Sequence, residues 1–152
     1  MSIVIAIDPR VQRRIPRAIV RVLARRLGRA ARRLSADPRA LSVRIVDDAE
    51  MAKLHLEHMG LPGPTDVLSF PVPEDLDLLG DVVIDWDAAV RQAGGRSVLD
   101  ELTDLGVHGL AHLLGHDHET GRAGARAMLR VEQRACRAVG LPPPRRPYGG
   151  AS

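Results

Sequence analysis

With 152 residues the chain is long enough to bury one hydrophobic core unaided, and its single cysteine, Cys136, excludes a disulfide framework. No apolar run approaches the roughly 20 residues of a membrane span, and Ile3–Ile7 is too short and too soon interrupted by Asp8 for a secretory leader, so a soluble cytoplasmic protein with no membrane partner is expected. The net charge of +3 conceals a segregation: residues 1–40 set eleven arginines against Asp8 and Asp37, a net +9, whereas residues 51–104 set three bases against eleven acids, a net −8.

Ser2 to Ile7 is rich in β-branched residues and is closed by Pro9, which predicts a first strand. From Ile15 to Leu34 the period becomes helical, with Ile19, Leu23, Leu27 and Ala31 on one stripe and arginines beside it. Leu41–Val46 alternates as a half-buried strand, and Asp47 or Asp48 then caps a helix running to about Met59, ended by Gly60. Thr65–Val72 and Gly80–Trp86 read as two further strands around a turn-like acidic stretch. Asp87–Ala93 forms a short helix stopped by Gly94–Gly95, Ser97 caps a longer one reaching Gly115, and a last helix spans about Arg122 to Val139.

That order predicts an α/β (α+β) domain, a small mixed sheet of about four strands packed against about five helices, one of them carrying a metal site. The domain should occupy residues 1–143, with residues 144–152 a Pro/Gly-rich tail that does not fold. The basic segments suit either a polyanion partner or a solvated arginine surface. With one Phe, one Trp and one Tyr, base stacking is excluded as a principal mode of binding.

The run from His108 to His118 carries the chemistry. His108 and His112, four apart, project from one helix face, and Gly115 supplies a stop after which His118 can fold back toward them. Three imidazoles and one open position make a catalytic rather than a structural zinc site, since structural zinc takes four protein ligands, often thiolates. Zn2+ is the expected cofactor, one per chain, although other imidazole-binding divalent ions suit the same ligands. The metallopeptidase motif His-Glu-x-x-His puts its general base directly after the first histidine, where this chain has Gly109, so peptidase chemistry of that type lacks its base.

Three blocks in this order, Pro64-Thr65-Asp66-Val67-Leu68-Ser69-Phe70-Pro71, Leu79-Gly80-Asp81-Val82-Val83-Ile84 and the histidine run, resemble the YbeY family of endoribonucleases and ribosomal RNA maturation factors. Arg91-Gln92-Ala93 and Gly140-Leu141-Pro142 extend the likeness to about residues 37–143. The resemblance implies a zinc-dependent enzyme that cleaves single-stranded RNA during maturation of the 3′ end of small-subunit (16S) ribosomal RNA and in ribosome quality control. The implied partners are ribosomal RNA and proteins of the small ribosomal subunit, with no DNA. It also implies that His108, His112 and His118 are the metal ligands and that Asp117 stands beside the last of them, as a hydrogen-bond partner for an imidazole or as a turn residue. Thr65, Asp66 and Ser69 lie near the metal in the family's arrangement, and are otherwise strand and turn residues.

Two positions depart from the family pattern. Met59 stands where the family usually has an arginine, and no Lys or Arg occurs between Lys53 and Arg91, which leaves His55, His58 or an arginine of the first helix to take its place. His116 stands where a tyrosine is usual, as an acid/base group, a competing ligand or a filler of the aromatic position. His116 and Asp117 are therefore the candidate catalytic residues. Two other readings are a ribosome-associated RNA-binding factor with weak or no nuclease activity, which Met59 favours, and a metal-dependent hydrolase of non-RNA substrates, which the acidic middle segment favours.

Overall fold

The expected strands and helices all form in the computed structural model, which describes residues 2–73, 75–115 and 121–142. His116, Asp117, His118 and the tail lie outside the described residues. The elements are β1 (Ile3–Ile7), α1 (Arg17–Leu34), β2 (Ala40–Val46), α2 (Asp48–Met59), β3 (Val67–Pro71), β4 (Leu78–Asp85), α3 (Trp86–Ala93), α4 (Val98–Leu113) and α5 (Gly121–Ala138), with a 3-10 turn at Gln12–Arg14. The sheet has the order β1-β2-β4-β3; β1, β2 and β4 are parallel and β3 runs antiparallel on the outer side of β4.

Alternation along the strands sorts the side chains into two cores. Leu41, Val43, Ile45, Val67, Val82 and Ile84 point to one face, where α1 and α4 cover them. Val46, Leu68 and Val83 point to the other, where Met51 and Leu54 of α2 cover them. The first core is by far the larger, and α4 lies in its middle, with eleven of its sixteen residues buried.

Three boundaries differ from the sequence expectation. The first helix starts at Arg17 and not at Ile15, because Ile15 precedes Pro16, which disfavours helical backbone; Ile15 is extended and plugs the core instead. Strand β4 begins at Leu78, ahead of Gly80, and ends at Asp85, so that Trp86 opens α3 rather than closing the strand. The caps follow the expected chemistry: Asp47, Asp85 and Ser97 accept from the backbone N–H groups of Glu50, Asp87 and Asp100.

Glycines set how closely α4 approaches the sheet. A Cβ on Gly109 would stand 2.6 Å from Val82 Cγ1, and one on Gly80 would stand 2.6 Å from Leu113 Cδ2 and 2.9 Å from the Phe70 carbonyl oxygen. These pairings run α4 antiparallel to β4, so the histidine end of α4 lies over the amino end of β4. Ser69 Oγ donates to the Gly109 carbonyl at 3.0 Å and fastens β3 to the same turn of helix.

Gly109→Ala tests this approach. Alanine would gain about 1 kcal/mol of helix propensity, but forcing a methyl against Val82 costs about 1–3 kcal/mol, so a net loss of stability is expected. Thermal unfolding should show a lowered Tm for the variant, with partial recovery when Val82 is shortened to alanine.

Candidate metal centre

His108 and His112 face the same way, as their spacing requires, and their Nε2 atoms come within 3.1 Å of each other. Their ring planes stand at 76° with centroids 4.6 Å apart. His108 is 3 % exposed, while His112 is half-buried at the rim. The third expected ligand, His118, and the two expected catalytic residues, His116 and Asp117, lie outside the described residues.

The other nitrogen of His108 is held by a residue that the sequence reading missed. Glu132 of α5, 1 % exposed, places Oε1 in a hydrogen bond with His108 Nδ1. A carboxylate oxygen accepts, so Nδ1 carries the proton and Nε2 turns its lone pair toward His112. Two ligands of a tetrahedral zinc at about 2.0–2.1 Å must lie roughly 3.3 Å apart, close to the separation found. The donor set and the fixed tautomer fit a divalent ion of the zinc class. Glu132 had a sequence signal: it is the only acid in α5 and falls on the stripe Gly124, Met128, Glu132, Ala135 that faces the core.

Gly109 is explained by the same geometry. Its Cα backs onto Val82 and Ser69, so no side chain, and no glutamate base, fits next to the first histidine. Of the other residues tied to the site by resemblance, Ser69 reaches the Gly109 carbonyl, whereas Asp66 is turned toward α3, where Gln92 Nε2 donates to it at 3.4 Å. Met59, 47 % exposed, ends α2. His55 Nδ1 donates to the Gly63 carbonyl at 2.8 Å and is committed to holding the loop after α2, while the His58 ring packs against Phe70.

Two further groups of titratable residues frame α4. Cys136 Sγ donates to Asp104 Oδ1 at 3.2 Å, and Asp104 Oδ2 in turn binds Arg96 at 2.8 Å. Burial pushes the Cys136 thiol far up, which removes it as a nucleophile. At the carboxyl end of β4, far along the sheet from the histidines, the carboxylates of Asp48, Asp85 and Asp87 stand within 4.8 Å of one another, close enough to hold a cation. Two guanidinium groups already take that charge: Arg91 grips both oxygens of Asp48 at 2.8 and 3.0 Å, and Arg14 binds Asp87 at 2.7 Å. Arg91 holds the Asp48 carboxyl down at about 2, while burial, reinforced by Asp48, pushes Asp85 up to about 8. A protonated Asp85 supplies the hydrogen that its buried second oxygen otherwise lacks and closes the network with no ion.

This proton is worth stability. Folded Asp85 keeps it up to about pH 8 while the unfolded chain loses it near 3.8, so between those values the folded state binds the extra proton and stability declines as pH rises. Asparagine mimics the protonated acid. Asp85→Asn should therefore flatten the pH dependence of unfolding between about pH 4 and 8, read by denaturant melts at several pH values, and an unchanged slope would show that Asp85 is ionised in the folded protein.

Comparison with known proteins relates the chain to one family. Residues 7–140 match the family described as Endoribonuclease YbeY. A Roseiflexus castenholzii protein named Endoribonuclease YbeY is 40 % identical over 117 residues, 70 % of this chain and 74 % of that protein. A Thermobifida fusca protein of the same name is 49 % identical over 90 residues, which take in 51 % of this chain and 58 % of that protein's length. The solution structure of TM1509 from Thermotoga maritima shares the fold, with a TM-score of 0.59 at 22 % identity, covering 90 % of this chain and 88 % of that one.

Proposed function

The chain belongs to the YbeY endoribonuclease family, and from that premise we propose that it is a zinc-dependent hydrolase that cleaves single-stranded RNA and acts in the maturation of small-subunit ribosomal RNA. The observation that carries the reading is the convergence of His108 Nε2 and His112 Nε2 with the His108 tautomer set by Glu132. No helix among the described residues is long and apolar enough to cross a membrane.

His108 and His112 would hold the metal with His118, the next histidine but one along the run. Zinc bound there supplies Lewis-acid charge for a phosphoryl oxygen and brings the pKa of water to about 7. The chain's own residues do the rest. Glu132 keeps His108 in the ligating tautomer and orientation. Gly109 and Ser69 fix the distance of the histidine turn from the sheet. His116 and Asp117, the neighbours of His118, are the groups proposed to hold or pass a proton, and a 2′-hydroxyl or a water serves as nucleophile. Exposed Met59 offers a substrate phosphate no charge, which favours as a second reading an RNA-binding assembly factor that cuts weakly. In either reading ribosomal RNA and small-subunit proteins are the partners.

Metal analysis paired with an RNA cleavage assay tests the reading. His112→Ala should lose the metal and RNA cleavage yet stay folded, since a rim histidine adds little to the core. Metal-replete wild-type protein that binds ribosomal RNA but leaves it intact would decide for the assembly factor. Cleavage that survives both chelator and His112→Ala would remove the metal from the mechanism.

Glu132→Ala probes the positioning role separately. It should weaken metal affinity by about 10–100-fold, measured by competition with a chromogenic chelator, because the imidazole is freed to rotate and change tautomer. Glu132→Gln, whose amide oxygen still accepts from Nδ1, should recover most of that loss.

A further inference from the structure

The outer faces of α1 and α5 carry a charge pattern that the metal centre does not use. Arginines stand at 17, 21, 25, 29 and 32 on α1 and at 122, 126, 130, 134 and 137 on α5, in both helices at successive spacings of four, four, four and three. All ten are exposed, and none stands in an ion pair among the described residues. Arginines off these two faces behave differently: Arg14, Arg39, Arg91 and Arg96 are paired, as is Arg26 of α1, which binds Asp100. Helix α1 has no acid, and the single acid of α5, Glu132, is turned inward.

The two helices pack against each other, and along each stripe an arginine stands about 6 Å along the axis from the next. Like charges one turn apart repel, and Arg17 and Arg122 sit in the first turns, where the helix dipole disfavours cations. A polyanion laid over this face relieves both penalties. Neither helix carries an aromatic residue, so binding is to phosphates and not to bases. An anionic membrane suits the face less well, because the apolar sides of both helices, with Leu23, Leu27 and Met128, are buried in the protein and have nothing to insert. The inward side of α5 meets His108 through Glu132, so the same helix carries arginines outward and a contact to the histidine site inward.

We propose that the outer faces of α1 and α5 form a second RNA-binding surface, which takes the phosphate backbone of the substrate beyond the segment held at the histidines and does not read sequence. The inference rests on the proposal that the substrate is RNA.

The full-length protein with Arg21→Glu, Arg25→Glu, Arg126→Glu and Arg130→Glu tests it, alongside the same four positions changed to Gln in case the reversals impair folding. For a long single-stranded RNA the dissociation constant and KM should rise by about tenfold or more near physiological salt, and the slope of log affinity against log salt should fall by about 0.7 for each phosphate that the variant no longer neutralises. The kcat, and the KM for an oligonucleotide too short to leave the histidine site, should not change. Unaltered affinity and slope in both variants would overturn the proposal, as would loss of binding to phosphatidylglycerol vesicles with RNA binding intact, which would assign the face to a membrane. Wild-type protein that cleaves no RNA, but whose RNA affinity falls in the variants, would retain this surface and discard the nuclease reading. Cleavage by wild-type protein with unaltered affinity in the variants would do the reverse.

Discussion

A polar group buried in a protein interior needs a partner, and among the described residues Glu132 Oε1 finds one in His108 Nδ1. Much of the architecture serves that contact. Helix α5 must lie across α4 for Glu132 to reach an imidazole, and α4 must be buried for the contact to be dry. The result is a histidine oriented through Nδ1, with Nε2 left facing His112. His112, on the same helix face and half-buried, then needs only the geometry of one helical turn to bring its Nε2 alongside.

The second constraint is spatial. The amino end of β4 and the histidine end of α4 approach so closely that neither Gly80 nor Gly109 has room for a Cβ. The position next to the first histidine, where metallopeptidases keep their base, is thus taken up by the packing of helix on sheet. A glutamate base of the peptidase kind is excluded at this position by a packing distance.

Charge is distributed to match this arrangement. Acids gather with Arg14 and Arg91 at the carboxyl end of β4, in a network that neutralises itself by ion pairs and one retained proton. Ten arginines of α1 and α5 face outward without acids, while Arg26 of α1 turns to Asp100 at the start of α4. The small net charge is the remainder of two opposite populations held in different places, and the basic population lies over the helices that bury the histidine site.

The kind and order of the elements could be read from the sequence because each is local: period, cap and breaker all lie within the segment they define. The same is true of the facing of His108 and His112, which one helical turn determines. Where expectation and structure part, at Ile15 and Trp86, the deciding residue is still a neighbour: Pro16 keeps Ile15 extended, and Asp85 caps the helix that Trp86 opens. Glu132 was beyond a local reading, because its partner is twenty-four residues away, and nothing nearby says what a lone acid on an apolar stripe will meet. The pairing of Asp48 with Asp85, which leaves one acid ionised and the other protonated, joins the start of α2 to the end of β4 and follows from burial that no sequence window contains. Local backbone and side-chain preferences determine elements and the ligand types that they present, whereas tautomer, proton and close approach depend on distances between segments, which exist only once the chain has packed.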